Sequence, residues 1–238
     1  MRTDETKVLV GTTVPPYVFG RDARYWSGWL RPLSAQVDYL AVLERDGRGL
    51  APFAPLLKQL EAAGGKFLTF AAPEGQTEYT TANRLAGICH GRNAVQAYAM
   101  AHYYDWILFC DADVTPHPDQ VQRLRALFHP VCAAHVPTYC LSGPPAIGYP
   151  EAWDVQSHVS TAGALFVHRD VFSRVTWRWD TAKGMSDDPC YHADALALGY
   201  PTYVRHDTVA THFPERIPPL EERGHDRRIR TPSEADQP

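Results

Sequence analysis

The chain has 238 residues, 45% of them hydrophobic and 21% charged, with 16 Gly and 20 Pro, a composition that excludes the disordered and fibrous classes and fits one compact domain. A chain of this length can bury about 70% of the surface its unfolded form exposes, so the core needs no disulfide, metal or partner to be stable. The formal charge of -4 (23 Lys and Arg against 27 Asp and Glu), with basic residues scattered outside a C-terminal cluster, offers no basic face for nucleic acid.

In chain order, the β-branched run from Lys7 to Val14 predicts a buried strand that ends at Pro15-Pro16. Trp26, Trp29 and Leu30 near helical spacing predict a helix over Tyr25 to Leu33. Val37 to Leu43 reads as a second strand leaving through the turn Glu44-Arg45-Asp46-Gly47, and Pro52 to Ala63 as a helix stopped by Gly64-Gly65. Lys66 to Ala71 is a third strand, followed by a polar loop from Pro73 to Thr81. Small and apolar residues at three- and four-residue steps predict a helix from Ala82 to Tyr103, interrupted by Gly87 and Gly91, and Asp105 to Cys110 is a fully buried strand.

A helix carrying Val121, Leu124, Leu127 and Phe128 comes next, then a strand over Val131 to Tyr139 and a Gly- and Pro-rich loop over Leu141 to Asp154. Ala162 to Val167 reads as a strand, Asp170 to Val175 as a helical turn and Asp187 to Leu198 as a helix stopped by Gly199. Pro201 to Arg205 and Thr208 to Thr211 are the last two strands. Residues 1–213 therefore form the expected domain, and 214–238, dominated by Pro, Glu and Arg, a tail that is disordered or ordered only by ligand. Strands alternating with helices predict an α/β fold with a mostly parallel sheet whose ligands sit at the carboxyl ends of the strands.

The five cysteines, Cys89, Cys110, Cys132, Cys140 and Cys190, are odd in number and form no CxxC pair, which reads as free thiols in a reducing compartment. Val8-Leu9-Val10 is too short for a signal-peptide core, and no apolar run approaches the roughly 20 residues of a membrane-spanning helix. A cytoplasmic protein with at most peripheral membrane contact is the expectation.

Chemistry concentrates in three places. Ile107-Leu108-Phe109-Cys110 runs into Asp111-Ala112-Asp113, two carboxylates on the same side of an extended segment at a strand's exit. Like charges so placed repel, and a divalent cation shared with a polyanion relieves them, because hard carboxylate oxygens suit Mg²⁺ or Mn²⁺. Asp187 and Asp188 open a helix, where they either cap it and complement its dipole or supply a base that takes a proton from an attacking hydroxyl. His212, after Val209 and Ala210, is either a structural residue near a strand end or a neutral imidazole completing a metal site begun by a distant carboxylate.

Taken in order, Tyr104 to Asp113 with His117-Pro118, then Ser186-Asp187-Asp188, Leu198-Gly199-Tyr200-Pro201 and His212, resemble the GT-A glycosyltransferases, in particular bacterial family-2-like members, over about Lys7 to Glu215. The resemblance implies a GT-A fold: a Rossmann-like, mostly parallel central sheet with helices on both faces in a single domain, its nucleotide-sugar half at about 1–115 and its acceptor half at about 116–213. It implies a metal, Mn²⁺ or Mg²⁺, on Asp113, with Asp111 facing the ribose or the metal's water shell and His212 completing coordination. Thr12, in the exit Thr12-Thr13-Val14-Pro15, matches the nucleotide-binding start. Arg92 and Asn93 fall where members contact the base or diphosphate, and Glu44 or Asp46 where an acidic residue meets the base.

The family's usual Glu-Asp pair is here Asp187-Asp188; Asp188 takes the position of the base in inverting members, with Asp187 as the second choice. Gly163 falls in the acceptor-side segment, and Trp153 is a candidate to stack on a sugar. The implied partners are a UDP- or GDP-sugar donor and an acceptor that the resemblance leaves open. Arg223, Arg227, Arg228 and Arg230 read as a solvated tail or as a cover for the diphosphate. Two other readings compete: a haloacid-dehalogenase-type phosphatase, with Asp111-Ala112-Asp113-Val114-Thr115 as nucleophile motif and Lys183 as its lysine, and a non-catalytic nucleotide-sugar binder that keeps Asp113 and has no need of Asp188.

Overall fold

The computed structural model describes residues 6–15, 27–45, 49–71, 81–136, 155–157, 163–183 and 185–212. In chain order the elements are β1 (Val8–Val14), β2 (Asp38–Arg45), α1 (Ala54–Ala62), β3 (Lys66–Ala71), α2 (Thr81–Ala101), β4 (Trp106–Cys110), β5 (Val114–Thr115), α3 (Gln120–Arg125), β6 (Val131–His135), β7 (Val155–Ser157), β8 (Ala164–His168), α4 (Arg169–Phe172), α5 (Asp187–Ala197), β9 (Thr202–Val209) and β10 (Thr211–His212). Eight strands form one sheet in the order β3-β2-β1-β4-β8-β6-β9-β7, and β10 pairs with β5 in a separate two-stranded ribbon.

The first four strands of that order are parallel, as is β6 with β9, while β8 runs antiparallel to both β4 and β6 and β7 antiparallel to β9. The sheet is therefore mostly parallel, as the alternation of strands and helices predicts. β1, β2, β3 and β4 all exit at one rim, and the reversed β8 begins there, with Ala164 opposite Cys110.

Burial on both faces explains the continuous apolar runs. Val8, Val10, Leu108, Cys110, Cys132, Ala134 and Phe166 face a layer made by α1 (Leu56, Leu60), α3 (Val121, Leu124), Trp29 and Phe53. Their neighbours Leu9, Ile107, Phe109, Val131, Ala133, Leu165 and Val167 face the opposite layer, made by α2 (Cys89, Val95, Ala99), α4 (Val171, Phe172) and α5 (Tyr191, Ala195). The described cysteines, Cys89, Cys110, Cys132 and Cys190, are buried and unbridged; Cys140 lies outside the described residues.

Three expectations are corrected. The helix over Tyr25 to Leu33 is, in its described part, a single 3-10 turn at Gly28–Leu30. Arg31 leaves it in an extended conformation with ψ 135°, as a residue before a proline is driven to do. Phe128 lies beyond the end of α3, is 92% exposed and has φ 56°, so it packs into no core. The two final strands are one, β9, whose pairing with β6 shifts register after Ala134. The short β5 and β7 escape any periodicity argument, which needs more than two or three residues. The loops over 73–80 and 141–154 and the tail over 214–238 lie outside the described residues.

Gly87 and Gly91 do not interrupt α2; they are its contact with the sheet. A Cβ on Gly91 would stand 2.3 Å from Thr13 Cγ2, and one on Gly87 2.6 Å from Glu44 Oε2. One helical turn apart, the two glycines let α2 lie close over β1 and β2. Gly91→Ala is expected to destabilise the protein by about 1–2 kcal/mol, because overpacking against the stiff Thr13 side chain outweighs alanine's better helix propensity of about 1 kcal/mol. A differential-scanning experiment reads this as a melting point lower by about 3–6 °C; an unchanged or higher melting point means that the helix lifts without cost.

Candidate functional site

The site is built where three elements reach the same rim. β4 ends at Cys110 and the chain turns at once, Val114 N–H donating to Asp111 O at 3.0 Å, so Asp111, Ala112 and Asp113 form a tight turn at the strand's exit. Asp111 N–H donates to Gly163 O at 3.1 Å, which fixes the turn to the start of β8. After it, Val114 and Thr115 pair antiparallel with β10, placing His212 opposite Val114, one residue from Asp113. α5 starts at the same rim with Asp187 and Asp188 in its first turn after the N-cap Ser186.

At the centre stands Arg92 of α2, 5% exposed. Its Nη2 donates to Asp111 Oδ1 at 2.8 Å, and its Nη1 donates to Asp188 Oδ1 at 2.7 Å and to Asp187 Oδ2. Its guanidinium lies over the Trp177 ring, 4.4 Å from the centroid. Trp177 in turn stacks on Tyr191 of α5 at 3.9 Å and 18° and meets Phe109 of β4 edge-on at 5.2 Å. One cation is thus clamped by an aromatic stack on its face and three carboxylates at its edge.

The electrostatics follow from that crowding. Burial works against the charge of Arg92, but attraction to Asp188, Asp111 and Asp187 more than offsets it and holds its pKa above the ordinary arginine value. Asp111 is pushed up to about 6 by desolvation, opposed by Arg92 and reinforced by repulsion from Asp113 and Asp188. Its side chain is nevertheless 44% exposed, so its carboxylate still reaches solvent at the rim. Asp187, 7% exposed, is raised by burial against the pull of Arg92 and with the push of Asp188. Burial, with the field of Asp187, pushes the nearby Cys89 thiol up to about 12 and leaves it inert.

The structure therefore brings Asp111, Asp187, Asp188 and Arg92 into direct contact, with Asp113 near enough to act on Asp111. Gly163 adjoins them, a Cβ there standing 3.5 Å from Asp111 Oδ2. Arg92, expected at the base or diphosphate, turns its guanidinium to the carboxylates. Asn93 is also otherwise engaged: its Nδ2 donates to Trp177 O at 2.9 Å and its Oδ1 accepts from Trp177 N–H at 2.8 Å. Thr12, in β1, is buried, and its hydroxyl has no hydrogen-bond partner among the described residues. Glu44, at the end of β2, is buried beside Gly87. Asp46 and Trp153 lie outside the described residues, and of His212 only the backbone is described.

Trp177 and Tyr191 support Arg92, a role that sequence reasoning assigns to neither. The pattern Trp177-Arg178-Trp179 just ahead of the acidic helix was their one local signal, and nothing local ties it to Arg92. Lys183 stands apart, 72% exposed and 3.8 Å from Asp180.

Among the described residues no group of three His, Cys, Asp or Glu side chains is disposed to hold a metal ion. A Mg²⁺- or Mn²⁺-type site asks less of the protein, since one or two carboxylates and the substrate's phosphates serve as ligands. The half-exposed Asp111 and the adjacent Asp113 meet that requirement, and the β5–β10 pairing sets the backbone of His212 opposite Val114, the residue after Asp113.

No family model and no curated protein matches the chain by sequence. Solved structures do match by fold. Glucosyl-3-phosphoglycerate synthase from M. tuberculosis is similar over 92% of this chain and 76% of its own, at 12% identity and a TM-score of 0.53. A mycobacterial protein is similar over 92% of this chain and 70% of its own, at 13% identity and the same TM-score of 0.53. The A197 protein from STIV is 14% identical over 88% of this chain and 86% of its own, with a TM-score of 0.49. At this identity the likeness is one of architecture: the chain has a GT-A-like α/β fold, shared with a glycosyltransferase.

Proposed function

We propose that the chain is a metal-dependent glycosyltransferase that moves a sugar from a UDP- or GDP-sugar to an acceptor hydroxyl by inverting, direct displacement. The observation that carries this reading is the convergence at one rim of a GT-A-like sheet of the Asp111-Ala112-Asp113 turn and the Asp187-Asp188 helix start, joined through Arg92.

Asp113 and Asp111, with His212, are the residues that would hold Mn²⁺ or Mg²⁺. The ion supplies Lewis-acid neutralisation of the charge that builds on the leaving diphosphate. The rest is assigned to the chain's own groups. Asp188, 23% exposed at the head of α5, takes the proton of the acceptor hydroxyl. The acceptor oxygen bonds to the anomeric carbon as the bond from that carbon to the diphosphate oxygen breaks, and the nucleoside diphosphate leaves with the bonding pair. Gly163 lies on the acceptor side, and Thr12 and Glu44 on the nucleotide side. Asp187, buried against Arg92, is the less accessible of the two helix acids. In the phosphatase reading Lys183 would stand with the acids, whereas its partner is Asp180 and the cation among the acids is Arg92.

Wild-type protein with Mn²⁺ is expected to release UDP or GDP from one member of a nucleotide-sugar panel, and chelation to abolish the release. Asp113→Ala is expected to lose Mn²⁺-dependent donor binding in calorimetry. If instead the protein cleaves simple aryl phosphates and Asp111→Asn ends that activity, the phosphatase reading replaces this one.

Asp188→Asn is expected to bind the donor with unchanged affinity and to lose turnover by about 10²–10⁴-fold, the range that a positioned general base contributes. Full turnover in that variant removes Asp188 from the role of base; donor binding without turnover in the wild type makes the chain a nucleotide-sugar binder.

A further inference from the structure

Four carboxylates stand together at the rim, and the guanidinium of Arg92 is bonded to three of them. Asp111 and Asp188 each give one oxygen to Arg92, at 2.8 and 2.7 Å, and Asp187 gives a third. Arg92 has little freedom to leave. It is 5% exposed, and its face is covered by Trp177, whose backbone is held at both N–H and C=O by the amide of Asn93. Its guanidinium neutralises Asp111 and spans Asp111 and Asp188, the work that a divalent cation would do between them.

We propose that Arg92 is the built-in counter-ion of the site, a positioning residue that holds Asp111 and Asp188 in one arrangement and competes with the divalent cation for Asp111, so that the cation binds tightly only when a diphosphate arrives with it. This inference rests on the metal-dependent reading of the site. The physical basis is additive charge. A divalent ion at Asp111 is repelled by the guanidinium bonded to the same carboxylate, and a diphosphate brings the negative charges that outweigh the repulsion. Cation and diphosphate are then thermodynamically coupled, each raising the affinity of the other by the same factor.

The test is Mn²⁺ binding to the full chain, followed by electron paramagnetic resonance, with Mn²⁺ alone and with Mn²⁺ plus inorganic pyrophosphate, in wild type, Arg92→Gln and Arg92→Lys. In wild type pyrophosphate is expected to tighten Mn²⁺ binding at least about tenfold. Arg92→Gln is expected to bind Mn²⁺ alone at least about tenfold more tightly than wild type and to lose most of the pyrophosphate effect, and Arg92→Lys, which keeps the charge, to bind Mn²⁺ alone as weakly as wild type. An Arg92→Gln protein with native near-ultraviolet circular dichroism and wild-type Mn²⁺ affinity overturns the inference.

If Arg92→Gln does not fold, the wild type decides. Its guanidinium NMR signals shifted by the Trp177 ring should move when Mg²⁺ and pyrophosphate are added together and stay in place with Mg²⁺ alone; signals that ignore both additions overturn the inference. Tightened Mn²⁺ binding in Arg92→Gln without nucleotide-sugar turnover in the wild type supports the inference and removes the transferase reading. Turnover with Mn²⁺ binding indifferent to Arg92→Gln does the reverse.

Discussion

The contact on which the site depends is the buried guanidinium of Arg92 among Asp111, Asp187 and Asp188. Each acid belongs to a different feature from the arginine: Asp111 to the exit of β4, Asp187 and Asp188 to the start of α5, Arg92 to the middle of α2. Burying such a group is costly, and the Coulombic return on a buried ion pair often fails to exceed its desolvation penalty. The cluster is therefore a poor source of stability and a good source of specificity. It defines one relative placement for three elements, since displacement of any of them strands a charge away from water.

That placement is prepared by packing. Gly91 immediately precedes Arg92, and together with Gly87 it lets α2 approach β1 and β2 closely enough for the next side chain to reach the strand exits. On its other side Trp177, pinned by Asn93 and stacked on Tyr191, closes off the guanidinium face. A glycine pair, an amide and an aromatic pair thus serve one purpose.

The fold was largely legible because two-sided burial writes its inner strands as continuous apolar runs, and β1, β2, β4 and β8 all lie where such runs occur. Legibility failed where one local rule overrode another. Trp26, Trp29 and Leu30 carry helical spacing, but Pro32 forces Arg31 out of helical backbone. Phe128 has the right spacing for α3 and lies past its end with φ 56°. The glycines of α2 look like interruptions in one dimension and become a contact stripe in three. β5, two residues long, carries no periodicity at all, although its pairing with β10 sets the backbone of His212 opposite Val114.

The site's acids were legible in the sequence, whereas Arg92 was named only through the resemblance, at the base or diphosphate and not as their partner. Asp111-Ala112-Asp113 and Asp187-Asp188 advertise themselves because like charges adjacent in sequence require an explanation, and a divalent ion is the explanation that sequence offers. Arg92 is separated from Asp111 by 19 positions and from Asp187 by 95, and no spacing rule connects residues so far apart. Asn93 shows the same limit from the other direction: a polar side chain beside the arginine invites a role in ligand binding, while its amide is matched to the backbone of a residue 84 positions away. What sequence does contain is an imbalance. Acids gathered at one rim cannot be left without positive charge, and Arg92, the buried arginine that α2 holds at the strand exits, supplies the internal share of that charge to Asp111, Asp187 and Asp188.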